Sequence, residues 1–231
     1  MKVKGPLYFS STEMKQLLKV SACHLMHMRE AGQLKFVKTG NKFLYELPQN
    51  YSLLEHPLGV KLLNWYKSRH PVDINNSPQS LDTIKALEKL VAEVLIPVER
   101  HFGVIQITYG FTSAELTKYI ASKSPAGTAP KLDQHASHEL NSKGNQYCER
   151  GGAACDFIID NNKNTMNLVA EWVSENIDFD RMYFYGKDKP LHVSVGPEES
   201  KFIQIMGISA SGKRVPRHKG ANVKFRDLWN K

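Results

Sequence analysis

The sequence predicts an α+β protein, with helices packed on one antiparallel sheet. Three observations point there. Residues 82–102 place Ile84, Leu87, Leu90, Val91, Val94 and Leu95 at helical spacing. Short β-branched or aromatic runs at 104–109, 154–159, 181–185, 191–195 and 202–206 are divided by turn-rich segments. Two short helical patterns and two strand-like runs share the first 48 residues.

Ser10 and Glu13 fit a capping box, with Met14, Leu17 and Leu18 following at helical spacing. Ser21 is placed to cap a second helix that ends at Gly32. Strand-like runs at 34–37 and 43–47 flank Thr39-Gly40-Asn41, a hairpin signal. Helix, turn, helix and hairpin make a small winged helix-turn-helix over residues 1–48. Residues 49–79 read as a connector: a helical pattern at 53–65, then a polar, turn-rich linker at 70–78. Residues 80–210 form the main domain. Its long helix contains Pro97, which kinks or restarts it. The stretch 121–130 is a Ser/Gly/Pro-rich loop, and a helix over 165–176 starts near Asn164. Residues 211–231 form a basic, extended arm whose Phe225, Leu228 and Trp229 can dock on the main domain.

Charge is asymmetric along the chain. The net charge is +8, of which residues 1–48 carry +5, residues 207–231 carry +6 and the rest −3. Basic ends around an acidic middle suit a polyanion, with DNA the leading partner. No apolar run is long enough to span a membrane, and no apolar segment follows the first lysines. The expected location is cytoplasmic. Three cysteines there argue against a disulfide framework.

The first segment resembles the MerR and excisionase type of DNA-binding domain. Tyr8, Leu17-Leu18-Lys19-Val20-Ser21, Ala31-Gly32 with Leu34, and Lys38 to Lys42 carry the resemblance over about forty residues. It implies that the second helix enters the major groove. Ser21, Ala22, His24 and His27 then face the DNA, with Leu25 and Met28 divided between bases and core. Arg29, Lys38 and Lys42 would contact phosphates. Lys213, Arg214 and Arg217 of the C-terminal segment add to the same charge. The alternative is a winged helix used for protein contacts, because the second helix is poor in Arg, Asn and Gln. A homodimer fits the family, although no coiled-coil heptads follow here.

Residues 80–206 are similar to the zinc D-Ala-D-Ala carboxypeptidase-like peptidases, which share the hedgehog fold. The carrying motifs are Ile107-Thr108-Tyr109-Gly110-Phe111-Thr112-Ser113-Ala114-Glu115-Leu116, Asp133-Gln134-His135, Gly152-Ala153-Ala154-Cys155-Asp156, Phe179-Asp180 and Leu191-His192-Val193-Ser194. The resemblance implies a Zn2+ held by His135, Asp156 and His192, with His138 competing for the first place. Two imidazoles and one carboxylate leave the metal positive enough to acidify a bound water. Two departures stand out: the family's substrate arginine falls on Thr112, and its catalytic glutamate falls on Tyr185. Asp188 is the substitute acid, Glu139 and Glu149 are weaker ones, and Tyr185 can offer a hydrogen bond to an oxyanion. Residues 137–150 read as an insertion that rims the site. His135, His138, Cys148 and Cys155 match no common zinc-finger spacing, and Cys155 alternates with Asp156 to the opposite strand face. The leading reading is a DNA-associated, metal-dependent hydrolase. A degenerate peptidase fold that only binds, and a cell-wall peptidase, are the alternatives.

Overall fold

The structure, a computed structural model, describes residues 7–70, 72–123, 134–160 and 165–230. Asp133, Asn164 and most of the loop at 121–130 lie outside them. The chain is α+β. No helix among the described residues is long and apolar enough to cross a membrane.

The first unit holds β1 (Tyr8–Ser10), α1 (Ser11–Leu18), α2 (Ala22–Glu30), β2 (Phe36–Thr39) and β3 (Lys42–Glu46). Its strands pair in the order β1-β3-β2. Ser10 and Glu13 form the expected capping box on α1, and the Ser21 hydroxyl accepts the His24 N–H on α2. Each such cap is worth about 1 kcal/mol. Met14, Leu17, Leu25 and Leu34 fill the space between helices and hairpin.

Residues 49–79 are not a free linker. A 3-10 turn (Leu53–Glu55) leads into α3 (Pro57–Asn64), which starts on a proline where no N–H is needed. The following loop is tied down by Asn76, whose amide donates to the Leu63 and Phe111 carbonyls while its oxygen accepts from Ser113 N. Leu53, Leu58 and Leu62 join Phe9 and Met14 to the main core. Turn-forming residues looked like a spacer because their polarity is satisfied by buried partners far along the chain.

The long helix is continuous but not uniform. Between α4 (Leu81–Leu90) and α5 (Ile96–Phe102), residues Val91–Leu95 widen to a π-turn. Pro97 lacks an N–H and its ring crowds the carbonyl four residues back, so the helix widens rather than breaks.

The main sheet has six strands: β4 (Ile105–Tyr109), β5 (Ala153–Ile159), β6 (Arg181–Phe184), β7 (Leu191–Val195), β8 (Phe202–Ile208) and β9 (Arg214–Ala221). Their order is β4-β5-β7-β6-β8-β9. The expected all-antiparallel sheet is corrected in one place, since β6 and β8 run parallel. The chain leaves β7 beside Arg181, passes the start of β6 and enters β8 at Phe202, again beside Arg181. Asp180 is the post it turns around: its N–H donates to the Ser194 carbonyl and its own carbonyl accepts the Phe202 N–H.

The extended C-terminal arm is corrected too. Residues 214–221 complete the sheet as β9, and α8 (Phe225–Trp229) buries Phe225 and Leu228. Burying such side chains contributes roughly 1.5–3 kcal/mol each. That gain holds a segment whose basic composition reads as solvated. Helix α6 (Ala114–Lys123) and α7 (Met166–Asn176) complete the order. Cys155, Phe157, Val193, Met182, Phe184 and Ile203 turn one sheet face to the core. The alternate residues turn the other face to the site.

Candidate metal centre

Strand alternation builds the centre. Asp156 on β5 pairs directly with His192 on β7, so both side chains leave the same sheet face. His135 comes from a 3-10 turn (Gln134–Ala136) laid over that face. Thr112 is buried, and its N–H donates to the His135 carbonyl at 3.0 Å. Gly110 lets α3 pack closely on the segment that carries Thr112, because a Cβ there would lie 2.4 Å from the Leu62 carbonyl oxygen.

The three side chains converge. His135 Nε2 lies 3.2 Å and His192 Nδ1 lies 2.7 Å from Asp156 Oδ1. All three candidate ligand atoms fall within 4.8 Å of one another. Tetrahedral ligands at the usual zinc distances would sit about 3.3 Å apart. Both histidines are buried, and the Asp156 side chain keeps 24% of its surface.

Proton accounting shows what the site needs. His135 Nδ1 lies 3.0 Å from the Gly110 carbonyl, which can only accept, so that nitrogen carries the proton. The neutral ring then aims the Nε2 lone pair at a carboxylate oxygen. With the ring neutral, two acceptors face each other at 3.2 Å. His192 Nε2 is buried with no hydrogen-bond partner. A cation between the ring and the carboxylate resolves the first conflict. A histidine whose second nitrogen donates to a backbone carbonyl is the usual outer support of a metal ligand. The residues therefore fit a metal ion. Burial alone would raise the Asp156 pKa; His135 and His192 offset it and hold the carboxyl well below the usual range only as protonated, donating rings, whereas a neutral His135 leaves that role to a cation.

Other expected residues are placed elsewhere. His138 Nε2 accepts the Gly152 N–H at 3.0 Å and does not join the cluster. Gly152 itself has φ +89, and a Cβ there would lie 2.0 Å from the Val195 carbonyl oxygen. Glu139 is buried against α4, accepting from Gln79 N and Thr83 Oγ1. Glu149 is exposed. Cys148 and Cys155 are buried and not disulfide-bonded, and Cys155 lies on the core face, so the four-ligand arrangement does not form.

Of the two expected catalytic groups, Asp188 is turned away to solvent and Tyr185 is engaged by a cation. Asp188 sits exposed at the β6–β7 turn, where its carboxylate pairs with Lys189 at 2.6 Å. The Tyr185 ring lies under the Arg214 guanidinium, 4.9 Å from ring centre to Cζ. A tyrosine the sequence reading passed over does touch the centre. Tyr183 pairs with His192 across the hairpin and stacks on its ring at 4.7 Å and 14°. The hairpin signal could have found it, since a turn over 186–190 sets Tyr183 opposite His192. Tyr109 packs against His135 at 4.5 Å.

On the first unit, Ala22, His24 and His27 are exposed on α2, while Leu25 is core and Met28 is half-buried. Ser21 is exposed, but its hydroxyl is spent on the cap. Lys38 and Lys42 are exposed on the hairpin. Arg29 is less available: its guanidinium covers the Phe43 ring at 3.9 Å and only 18% of its side chain is exposed. Lys213, Arg214 and Arg217 are all exposed, Arg214 and Arg217 on β9. The chain matches no protein-family model, no curated protein and no solved structure.

Proposed function

We propose that this chain is a DNA-associated metalloprotein with a zinc centre of hydrolytic type held by His135, Asp156 and His192. The carrying observation is the His135 lone pair aimed at Asp156 while the other ring nitrogen donates to Gly110. When bound, zinc would polarise a substrate and lower the pKa of a coordinated water. The chain's own part is to hold two neutral imidazoles and one carboxylate in register on β5 and β7 and to shelter them with residues 134–138. The exposed α2 face and the hairpin lysines support duplex DNA binding by the first unit, in the manner of a winged helix-turn-helix.

A second reading has the metal bound without turnover. It is favoured by Asp188, whose carboxylate is committed to Lys189 on an exposed turn rather than to the ligands. Elemental analysis after zinc loading and desalting tests the shared part. About one zinc per chain is expected in the wild type and none in Asp156→Ala or His192→Ala; a metal-free wild type would sink both readings. A metal-dependent hydrolysis abolished by His192→Ala but untouched by Asp188→Asn would favour turnover without Asp188.

A further inference from the structure

We propose that the open face of β6, β8 and β9 is a track for single-stranded nucleic acid leading to the metal centre. The track deepens the hydrolytic reading by giving its substrate class, and rests on that reading only for what the centre does to the strand.

Register defines the face. Across it run His192, Tyr183, Gln204 and Lys219, one from each of β7, β6, β8 and β9. The neighbouring row is Ser194, Arg181, Phe202 and Ala221. On this face the three strands β6, β8 and β9 carry Arg181, Arg214 and Lys219, and their residues include no Asp or Glu. Tyr183, Tyr185 and Phe202 are half-buried on this face, whereas Arg214 and Lys219 are exposed.

The cations lack counter-charges. Among the described residues no carboxylate lies within ion-pair distance of Arg181, Arg214 or Lys219, while Asp188 is paired with Lys189 and Glu198 with Arg150. Arg181 is the sharpest case. Its Nη1 donates to the Tyr183 hydroxyl at 3.3 Å, its guanidinium lies over Phe202 at 4.8 Å, and its Nε is buried without a partner. That places a guanidinium with an unmet donor one ring away from His192. That Nε is covered by its neighbours, so a phosphate would meet the Arg181 guanidinium through its remaining N–H groups.

Positive charge alone would suit any polyanion. Arginines interleaved with half-exposed aromatic rings suit a narrower class. Single-stranded nucleic acid supplies phosphates for the cations and unpaired base faces for the rings. A duplex hides those faces, and an acidic polypeptide supplies carboxylates without a stacking partner. The first unit carries its own cations at Lys38 and Lys42 on a separate sheet, so the two surfaces can be told apart.

The test is fluorescence anisotropy of full-length protein with fluorescein-labelled dT20 between 50 and 200 mM salt. Wild type should bind more weakly as salt rises. Arg214→Gln with Lys219→Gln should weaken binding about tenfold and reduce the log–log salt slope by about 1.4, for two lost phosphate contacts. Lys38→Gln with Lys42→Gln should change dT20 binding less than twofold. Tyr183→Leu should lose several-fold affinity with the salt slope unchanged, as expected of stacking. Wild-type affinity in the β9 double variant would overturn the track, as would poly-L-glutamate of equal charge competing as well as unlabelled dT20. Zinc content is measured on the same samples: dT20 binding that depends on β9 in a chain holding no zinc would sink the hydrolytic reading and leave the track standing.

Discussion

Two carboxylates meet the adjacent residues Gln134 and His135, and they are partnered in opposite ways. Asp180, with no exposed side-chain surface, is surrounded by donors. It accepts from Gln134 Nε2 at 2.6 Å, from Ser200 N at 3.1 Å and Oγ at 2.7 Å, and from Arg150 Nε at 3.3 Å. Asp156 meets two imidazole nitrogens, one of them a lone pair whenever the ring is neutral. A saturated carboxylate is a fold element. A carboxylate facing acceptors is waiting for a cation. Spacing along the sequence does not separate the two; only the donor inventory does.

The largest expected effect comes from zinc itself. If Asp156 is the ligand, zinc at about a hundred times its Kd should stabilise the wild type by about 2.7 kcal/mol, read as a raised Tm. Asp156→Asn should abolish that rise. Asp180→Asn should keep it, on a lower baseline. A zinc shift lost in both variants would mean that Asp180 serves the centre through Gln134 rather than serving the fold.

Without metal the two substitutions should diverge in sign. Asp180→Asn replaces an acceptor with a donor beside Gln134, Ser200 and Arg150, and should cost about 3 kcal/mol by urea denaturation. Asp156→Asn puts an amide N–H opposite the His135 lone pair, so the metal-free protein should be unchanged or more stable. A metal-free Asp156→Asn that melts well below wild type would show that the carboxylate is held by protonated histidines and needs no cation.

Acid sensitivity sharpens the same contrast. Burial opposes ionisation of Asp180, but Ser200, Gln134 and Arg150 hold its pKa below the usual carboxylate value. A folded-state pKa below the unfolded one means that its stabilisation is complete above the ordinary carboxylate pKa. It is lost as pH falls through the depressed value. In zinc-free protein, Asp180→Asn should therefore flatten the stability-against-pH curve below about pH 4. An unchanged slope there would assign the acid response to other carboxylates.

The parts legible from sequence were those governed by local rules. The Ser10–Glu13 box, the Ser21 cap and the strand alternation of Asp156 and His192 all follow from spacing over a few residues. Three things were not legible. The parallel β6–β8 pair depends on a turn around Asp180 whose partners lie at Gln134, Arg150 and Ser200, far apart in sequence. Residues 70–78 read as a linker because nothing local reveals that Asn76 will bind the Phe111 carbonyl. Residues 214–221 read as an arm because β9 is stabilised by an edge that exists only after β8 has formed. At the site, Asp188 was chosen for its nearness to His192 along the chain, yet the hairpin sends it out to the exposed turn. Tyr183, farther in sequence, is the direct neighbour.

The smallest expected effect asks what holds Asp180: hydrogen bonds or the arginine's charge. Arg150 also pairs with Glu198, but that carboxylate is 58% exposed and adds little. The Arg150 side chain itself keeps 22% of its surface, so water can take over part of its role. Gln134 and both Ser200 donors remain when the guanidinium is removed. Arg150→Gln should therefore cost about 1 kcal/mol, well under the Asp180→Asn loss, with the zinc-induced Tm rise intact. Equal losses in the two variants would mean that charge, rather than donor saturation, keeps Asp180 ionised inside the protein. The distinction between the two carboxylates would then rest on the Arg150 charge, which reaches Asp180 and not Asp156.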